Sequence, residues 1–238
     1  MGQIYLVRHG QASFGAANYD QLSSLGTEQG RILGQWFAAC GQRFDQVVTG
    51  DLQRHRQTAE ACIAAFAPVQ ALPHTVDPGF NEYNQDEIVV RHRPSFADPQ
   101  EVKRFLAEQQ DAKKAFQRIF EGGMARWMSG QYDGDYTESW PVFRARCIAA
   151  LNRLLEAGGS QRIVVFTSGG TIATLCQHVL GMTDPQLFQL NWGLVNSAVT
   201  KLLFQSAGAD APARVSMSYL NNFAHLEKLS DPAFITYR

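Results

Sequence analysis

Short apolar runs alternate with helical stripes along this chain. The runs fall at residues 4–7, 46–49, 163–167, 198–204 and 214–220. The first three are continuously apolar, as strands buried on both faces of a parallel sheet are. Between them, Leu25, Ile32, Leu33, Trp36, Phe37 and Cys40 recur at helical spacing, and so do Ala59, Cys62, Ile63 and Phe66. Ile172, Leu175, Cys176, Val179 and Leu180 form a third stripe. Strands separated by helices of this length predict βαβ units. The expected fold class is α/β, a three-layer α/β/α sandwich on a mainly parallel sheet.

Residues 83–135 break the rhythm. They hold no strand pattern but a long helical stripe through Val102, Phe105, Leu106, Phe116, Ile119, Phe120 and Trp127. We read a single domain over residues 1–238, with 83–135 as a helical cap insertion inside it. Gly122-Gly123 is expected to interrupt or bend the cap helix, and the turn-rich residues 129–137 to return the chain to the main body. Trp140, Phe143, Cys147, Leu151, Leu154 and Leu155 predict the next core-facing helix, and residues 205–212 an exposed hairpin loop.

Composition narrows the class. At 238 residues, 45% apolar and 18% charged, the chain can bury a full core. Its 21 basic and 22 acidic residues cancel, which removes the usual electrostatic footprint of a nucleic-acid partner. No apolar run approaches the ~18 residues of a membrane span. Cys40, Cys62, Cys147 and Cys176 lie far apart with no C-x-x-C pair, and read as buried apolar residues in a reducing compartment. The expectation is a soluble, cytoplasmic protein with no nucleic-acid or membrane partner, and its oligomeric state is not encoded legibly.

Three polar clusters begin where the first three strands stop: Arg8-His9-Gly10, residues 51–57, and Ser168-Gly169-Gly170. Open α/β sheets bind ligands at the carboxyl ends of their strands, so the clusters are expected to share one crevice. Neutral imidazole is a nucleophile near pH 7, and guanidinium grips phosphate oxygens through a planar fork. His9, with Arg8 and Arg54, therefore suits phosphoryl capture, and the N–H groups of Gly169 and Gly170 at a helix start favour an anion. Taken singly, each also admits a structural role: His9 as a hydrogen-bonded strand end, Arg54 as a solvated helix residue, Ser168 as an N-cap. Arg91-His92-Arg93 repeats an Arg-His pair without the following glycine and is expected to face water, with a substrate clamp at the crevice as the alternative. Asn196-Ser197 reads first as a turn. His74, His92, His178 and His225 show no metal-ligand spacing, so neither metal nor cofactor is expected.

With these segments in view, the sequence resembles the histidine phosphatase superfamily, which holds the cofactor-dependent phosphoglycerate mutases and many small phosphatases. Residues 6–11 (LVRHGQ) are similar to its signature and residues 22–29 (LSSLGTEQ) to its helix start. Residues 49–59 (TGDLQRHRQTA) are similar to its arginine-bearing segment, and Phe80-Asn81-Glu82 to its Leu-x-Glu element. The resemblance implies that His9 is phosphorylated, that Arg8 and Arg54 grip the phosphoryl group with Gln11, Ser168 and Gly169 as further substrate contacts, and that Glu82 protonates the leaving oxygen. Where the family has a second His before Gly-Gly, this chain has Ser168. A charged hydrogen bond contributes roughly 1.5–3 kcal/mol against about 1 for a neutral one, so the exchange implies a tenfold to hundredfold weaker catalyst. By the same logic, Ser168→His would raise turnover. His55 could substitute for the missing imidazole, but reads as a surface helix residue.

The expected function is hydrolysis of small phosphate monoesters through a phosphohistidine. Residues 11–20 (QASFGAANYD) lack the Trp-Asn pair of the true mutases, which favours phosphatase over mutase. A weakly active or inactive phospholigand-binding module is the contrasting class, and a mutase-type phosphotransferase the other alternative.

Overall fold

A computed structural model of the chain describes residues 1–13, 20–67, 71–156, 160–207 and 213–237. Residues 14–19, within the segment compared with the mutases, and 208–212, within the stretch expected to form a hairpin loop, lie outside the described residues.

The continuous apolar runs become strands β1 (Gly2–Arg8), β2 (Gln46–Thr49) and β4 (Arg162–Thr167). The sheet adds β3 (His74–Val76), β5 (Val199–Gln205) and β6 (Arg214–Asn222), in the order β3-β2-β4-β1-β5-β6. Neighbours from β3 to β1 pair in parallel, while β5 runs antiparallel to β1 and β6 antiparallel to β5. Strand β3 escapes the sequence pattern because its three residues are exposed.

Helices α1 (Ser24–Ala39) and α2 (Gln53–Phe66) cover one face, where Leu33, Phe37, Ala59 and Cys62 pack with Tyr5, Val7, Val164 and Phe166. Burying each of the larger side chains contributes roughly 1.5–3 kcal/mol. The alternating strand residues Ile4, Leu6, Ile163 and Val165 are equally buried. On that second face lie α7 (Gly169–Leu180), which packs on β1 and β6, and the buried stripe Cys147, Ala150, Leu151 and Leu154 of α6 (Trp140–Glu156). Two stripe residues depart from expectation. Cys40 caps the C-terminus of α1 and Leu180 is the last residue of α7, and both are exposed at these helix ends.

The chain divides into two compact units, one of Met1–Glu82 with Arg146–Arg238, the other Tyr83–Ala145. The second holds α3 (Gln85–His92), α4 (Pro99–Ala107) and α5 (Ala112–Met128). Its core is aromatic: Trp127 packs at tilted or edge-on angles against Tyr83, Trp140 and Phe143, and the unit runs to Ala145 rather than 135. Helix α5 runs through Gly122-Gly123 without the interruption that is one of the two expectations. The glycines serve close packing, since a Cβ on Gly122 would lie 2.5 Å from the His92 ring. Arg91 and His92 are exposed, as expected, whereas Arg93 lies over the rings of Phe96 and Phe105. Two short helices, α8 (Asp184–Gly193) and α9 (Ala224–Glu227), complete the first unit. No helix among the described residues is long and apolar enough to cross a membrane.

Candidate active site

The first three motifs are sewn to one another by hydrogen bonds. The N–H of Gly10 donates to Thr58 Oγ1 at 3.1 Å, and that of Gln11 to Gln29 Oε1 at 2.8 Å. Gln57 Oε1 accepts from the N–H of Leu22 at 2.8 Å, and Gln11 Oε1 from the hydroxyl of Ser23 at 2.9 Å. Gly10 and Gly26 touch so closely that a Cβ on either would come within 2.2 Å of the other segment's backbone oxygen. The glycine after His9 thus admits a helix start. Gln11, expected at the substrate, has its side-chain oxygen on Ser23.

At the end of β1, the N–H of His9 donates to Thr167 O at 2.9 Å, and its carbonyl accepts from Asn196 Nδ2 at 3.1 Å. Ser197, at φ 60°, donates its N–H to Arg8 O at 3.0 Å. Asn196-Ser197 is therefore a turn that also supports the His9 backbone. His9 Nδ1 lies 2.7 Å from Gly10 O. A carbonyl only accepts, so Nδ1 carries the proton and Nε2 the lone pair. Burial first, then the charges of Arg54, Arg8 and His55, hold the His9 pKa well below its ordinary value, so the ring is neutral at pH 7.

Arg54 is buried on α2 and donates to Asp20 Oδ1 at 2.7 Å, while Asp20 Oδ2 accepts from the N–H of Gln53 at 2.8 Å. It is not the solvated helix residue of the structural alternative. Arg8 donates to the carbonyl of Leu194 and, at 2.9 Å, to that of Tyr237. Glu82 Oε2 accepts from the N–H of Gly170 at 3.0 Å, which ties it to the start of α7. Its segment is held by Thr167 Oγ1 on Phe80 O at 2.6 Å and Thr171 Oγ1 on Asn81 O at 2.9 Å. Gly169 packs over Arg8, whose Nε would be 3.4 Å from a Cβ there.

His55 overturns its sequence reading. It is wholly buried, with Nε2 2.6 Å from Ser168 Oγ and its ring centroid 5.8 Å from that of His9. The reason is helical geometry: positions 55, 59, 62 and 66 share the core-facing side of α2. That spacing is the signal by which the sequence could have found it. Burial, then Arg54, pushes its pKa well down. Sequence reasoning also missed Asp20, Thr58 and His225. The last sits 2.8 Å from Ser197 Oγ and is held down at about 4 by burial. No group of three or more His, Cys, Asp or Glu among the described residues could hold a metal ion.

A three-layer α/β fold with a histidine-centred cluster of positive charge at the carboxyl edge of its sheet defines the class. Within that class the chain belongs to the histidine phosphatase superfamily, branch 1, whose family model matches residues 4–213. It is similar to the probable phosphoglycerate mutase GpmB of Yersinia pestis, 25% identical over 213 residues and 87% of each chain. Its fold matches the phosphoglycerate mutase of Bacillus anthracis, with a TM-score of 0.64 at 17% identity over 97% of each chain. It also matches a mycobacterial glucosyl-3-phosphoglycerate phosphatase, with a TM-score of 0.61 at 19% identity over 93% of this chain and 99% of the other.

Proposed function

We propose that the protein hydrolyses small phosphate monoesters through a phosphorylated His9. The observation that carries this is the fixed tautomer: with Nδ1–H held by Gly10 O, a neutral His9 presents its Nε2 lone pair beside two arginine charges. Nε2 forms the N–P bond as the ester P–O bond breaks, and Glu82 gives its proton to the departing oxygen. The Glu82 carboxylate then takes a proton from water, whose oxygen displaces Nε2 from phosphorus. Arg8 and Arg54 neutralise the transferring group, with Ser168 and the Gly169 N–H as further donors and Gln11 at the rim. No step calls for a metal or cofactor. A reducing, cytoplasmic setting agrees with four cysteines that form no disulfide.

The test is rapid-quench mixing with an aryl phosphate in EDTA. An acid-labile, base-stable phosphoprotein appearing before inorganic phosphate is expected. Absence of both products overturns the assignment and favours the binding-module alternative. The likeness to a probable mutase supports one other reading. With 3-phosphoglycerate, glycerate and phosphate indicate the phosphatase, and 2-phosphoglycerate without net phosphate release indicates the mutase.

A further inference from the structure

We infer that His55 and Ser168 form one relay, in which Ser168 meets the transferring phosphoryl oxygen and His55, on α2, positions the serine proton that it receives. This rests on His9 as the phosphorylated residue and concerns the strand end beside it.

Four observations converge. Ser168 is the N-cap of α7, where a serine hydroxyl ordinarily accepts from the helix N–H groups, yet it makes no capping bond. Its Oγ instead meets His55 Nε2 at 2.6 Å, with both residues wholly buried. Second, the imidazole fits its slot only because residue 50 is glycine, since a Cβ there would lie 2.3 Å from His55 Nδ1. Third, the backbone pairs Arg8 with Thr167 across β1 and β4, so His9 and Ser168 are the next residues of adjacent strand ends. The His55 ring lies beside that of His9.

The fourth observation supplies the mechanism. Among the described residues, the buried His55 Nδ1 has no hydrogen-bond partner, an arrangement that costs stability and fixes neither tautomer. With the proton on Nδ1, Nε2 accepts from the Ser168 hydroxyl, and the serine offers the site only lone pairs. With the proton on Nε2, the ring donates to Ser168 Oγ, and the hydroxyl hydrogen turns to an incoming oxygen. No net charge is created in either form. His55 is thus a positioning residue acting through Ser168, an imidazole carried one element away from where the family places its second histidine.

The test is a double-mutant cycle read on two scales: the rate of His9 phosphorylation by an aryl phosphate, and orthovanadate affinity by calorimetry. His55→Ala and Ser168→Ala are each expected to slow phosphorylation by about tenfold, the worth of one neutral hydrogen bond, with KM little changed. The double Ala variant should be no slower than either single one, because a relay fails once. His55→Gln, which keeps an N–H donor, should recover most of the rate. His55→Ala/Ser168→His, which moves the ring to the strand end while vacating its old volume, should recover it too. Circular dichroism and melting confirm folding, and His55→Gln carries the test should His55→Ala not fold. Effects that multiply in the double variant, or a parent-like rate in His55→Ala, overturn the relay. Should the parent not turn over, the cycle is read on vanadate: coupled losses keep the relay while the hydrolase assignment falls, and uncoupled losses or no binding overturn it.

Discussion

Two strand ends meet at the site, and they are built on opposite plans. At the end of β1, His9 is locked: its N–H, carbonyl and Nδ1 all have backbone or side-chain partners, and its tautomer is set by Gly10 O. At the end of β4, Ser168 bonds one imidazole whose far nitrogen has no partner among the described residues. A nucleophile gains from a fixed lone pair, because geometry settled beforehand need not be found in the transition state. A donor that must answer an arriving oxygen gains from a proton that can be reassigned. On the proposed mechanism, the same ring chemistry does different work according to what lies behind the second nitrogen.

The largest expected effect breaks the locked end. His9→Ala should abolish phosphate release, because it removes the nitrogen proposed to form the N–P bond, while circular dichroism stays parental. Measurable turnover above background would show that the locked plan is structural only. Next comes the charge around it. Arg54→Ala removes a charged contact and should weaken orthovanadate binding roughly tenfold to a hundredfold by calorimetry. Arg54 also lowers the His9 pKa, together with burial, Arg8 and His55. Its loss lets His9 take a proton at higher pH, so the acid limb of the rate profile should move upward; an unmoved limb separates Arg54 from His9.

Much of this was legible and some was not, for physical reasons. Strands β1, β2 and β4 announce themselves as continuous apolar runs because both faces are covered, whereas β3 is three exposed residues held on one edge. His9, Arg54 and Ser168 stand at strand or helix ends, where local sequence predicts placement. What could not be read is pairing at long range: Gly10 against Gly26, and the backbone carbonyl of Tyr237 on Arg8. A glycine does not name the segment it will meet, and the Tyr237 carbonyl is a backbone group with no residue-type signature. His55 differs, since its burial was implicit in the spacing of the α2 stripe; its polarity hid it.

The β4 end is sharpened by a smaller change. Ser168→His alone, which the family pattern implied would raise turnover, puts a second ring where His55 Nε2 already lies 2.6 Å from Oγ. Overpacking a buried site costs about 1–3 kcal/mol, which at this chain length lowers the melting temperature by roughly 2–4 °C per kcal/mol. The contrast with His55→Ala/Ser168→His tells room from chemistry. A single variant that melts like the parent and turns over faster would mean the slot holds both rings.

The change furthest from the chemistry lies behind the locked end, at His225, which supports Ser197 and through it the carbonyl of Arg8. Burial holds its pKa at about 4, below the ordinary 6.5. The native state therefore refuses a proton that the unfolded chain accepts. Its contribution to stability is complete above pH 6.5 and is lost progressively as pH falls toward 4, by about 3 kcal/mol in all. His9 and His55, both also held low, add losses of the same sign that begin below the same unfolded value. His225→Gln keeps a partner for the Ser197 hydroxyl but cannot titrate. Urea unfolding at pH 7 and pH 4.5 should show the parent losing about 2–3 kcal/mol more than this variant between the two conditions. An equal loss in both would place the acid sensitivity at His9 and His55, the two rings at the strand ends themselves, and leave His225 as packing alone.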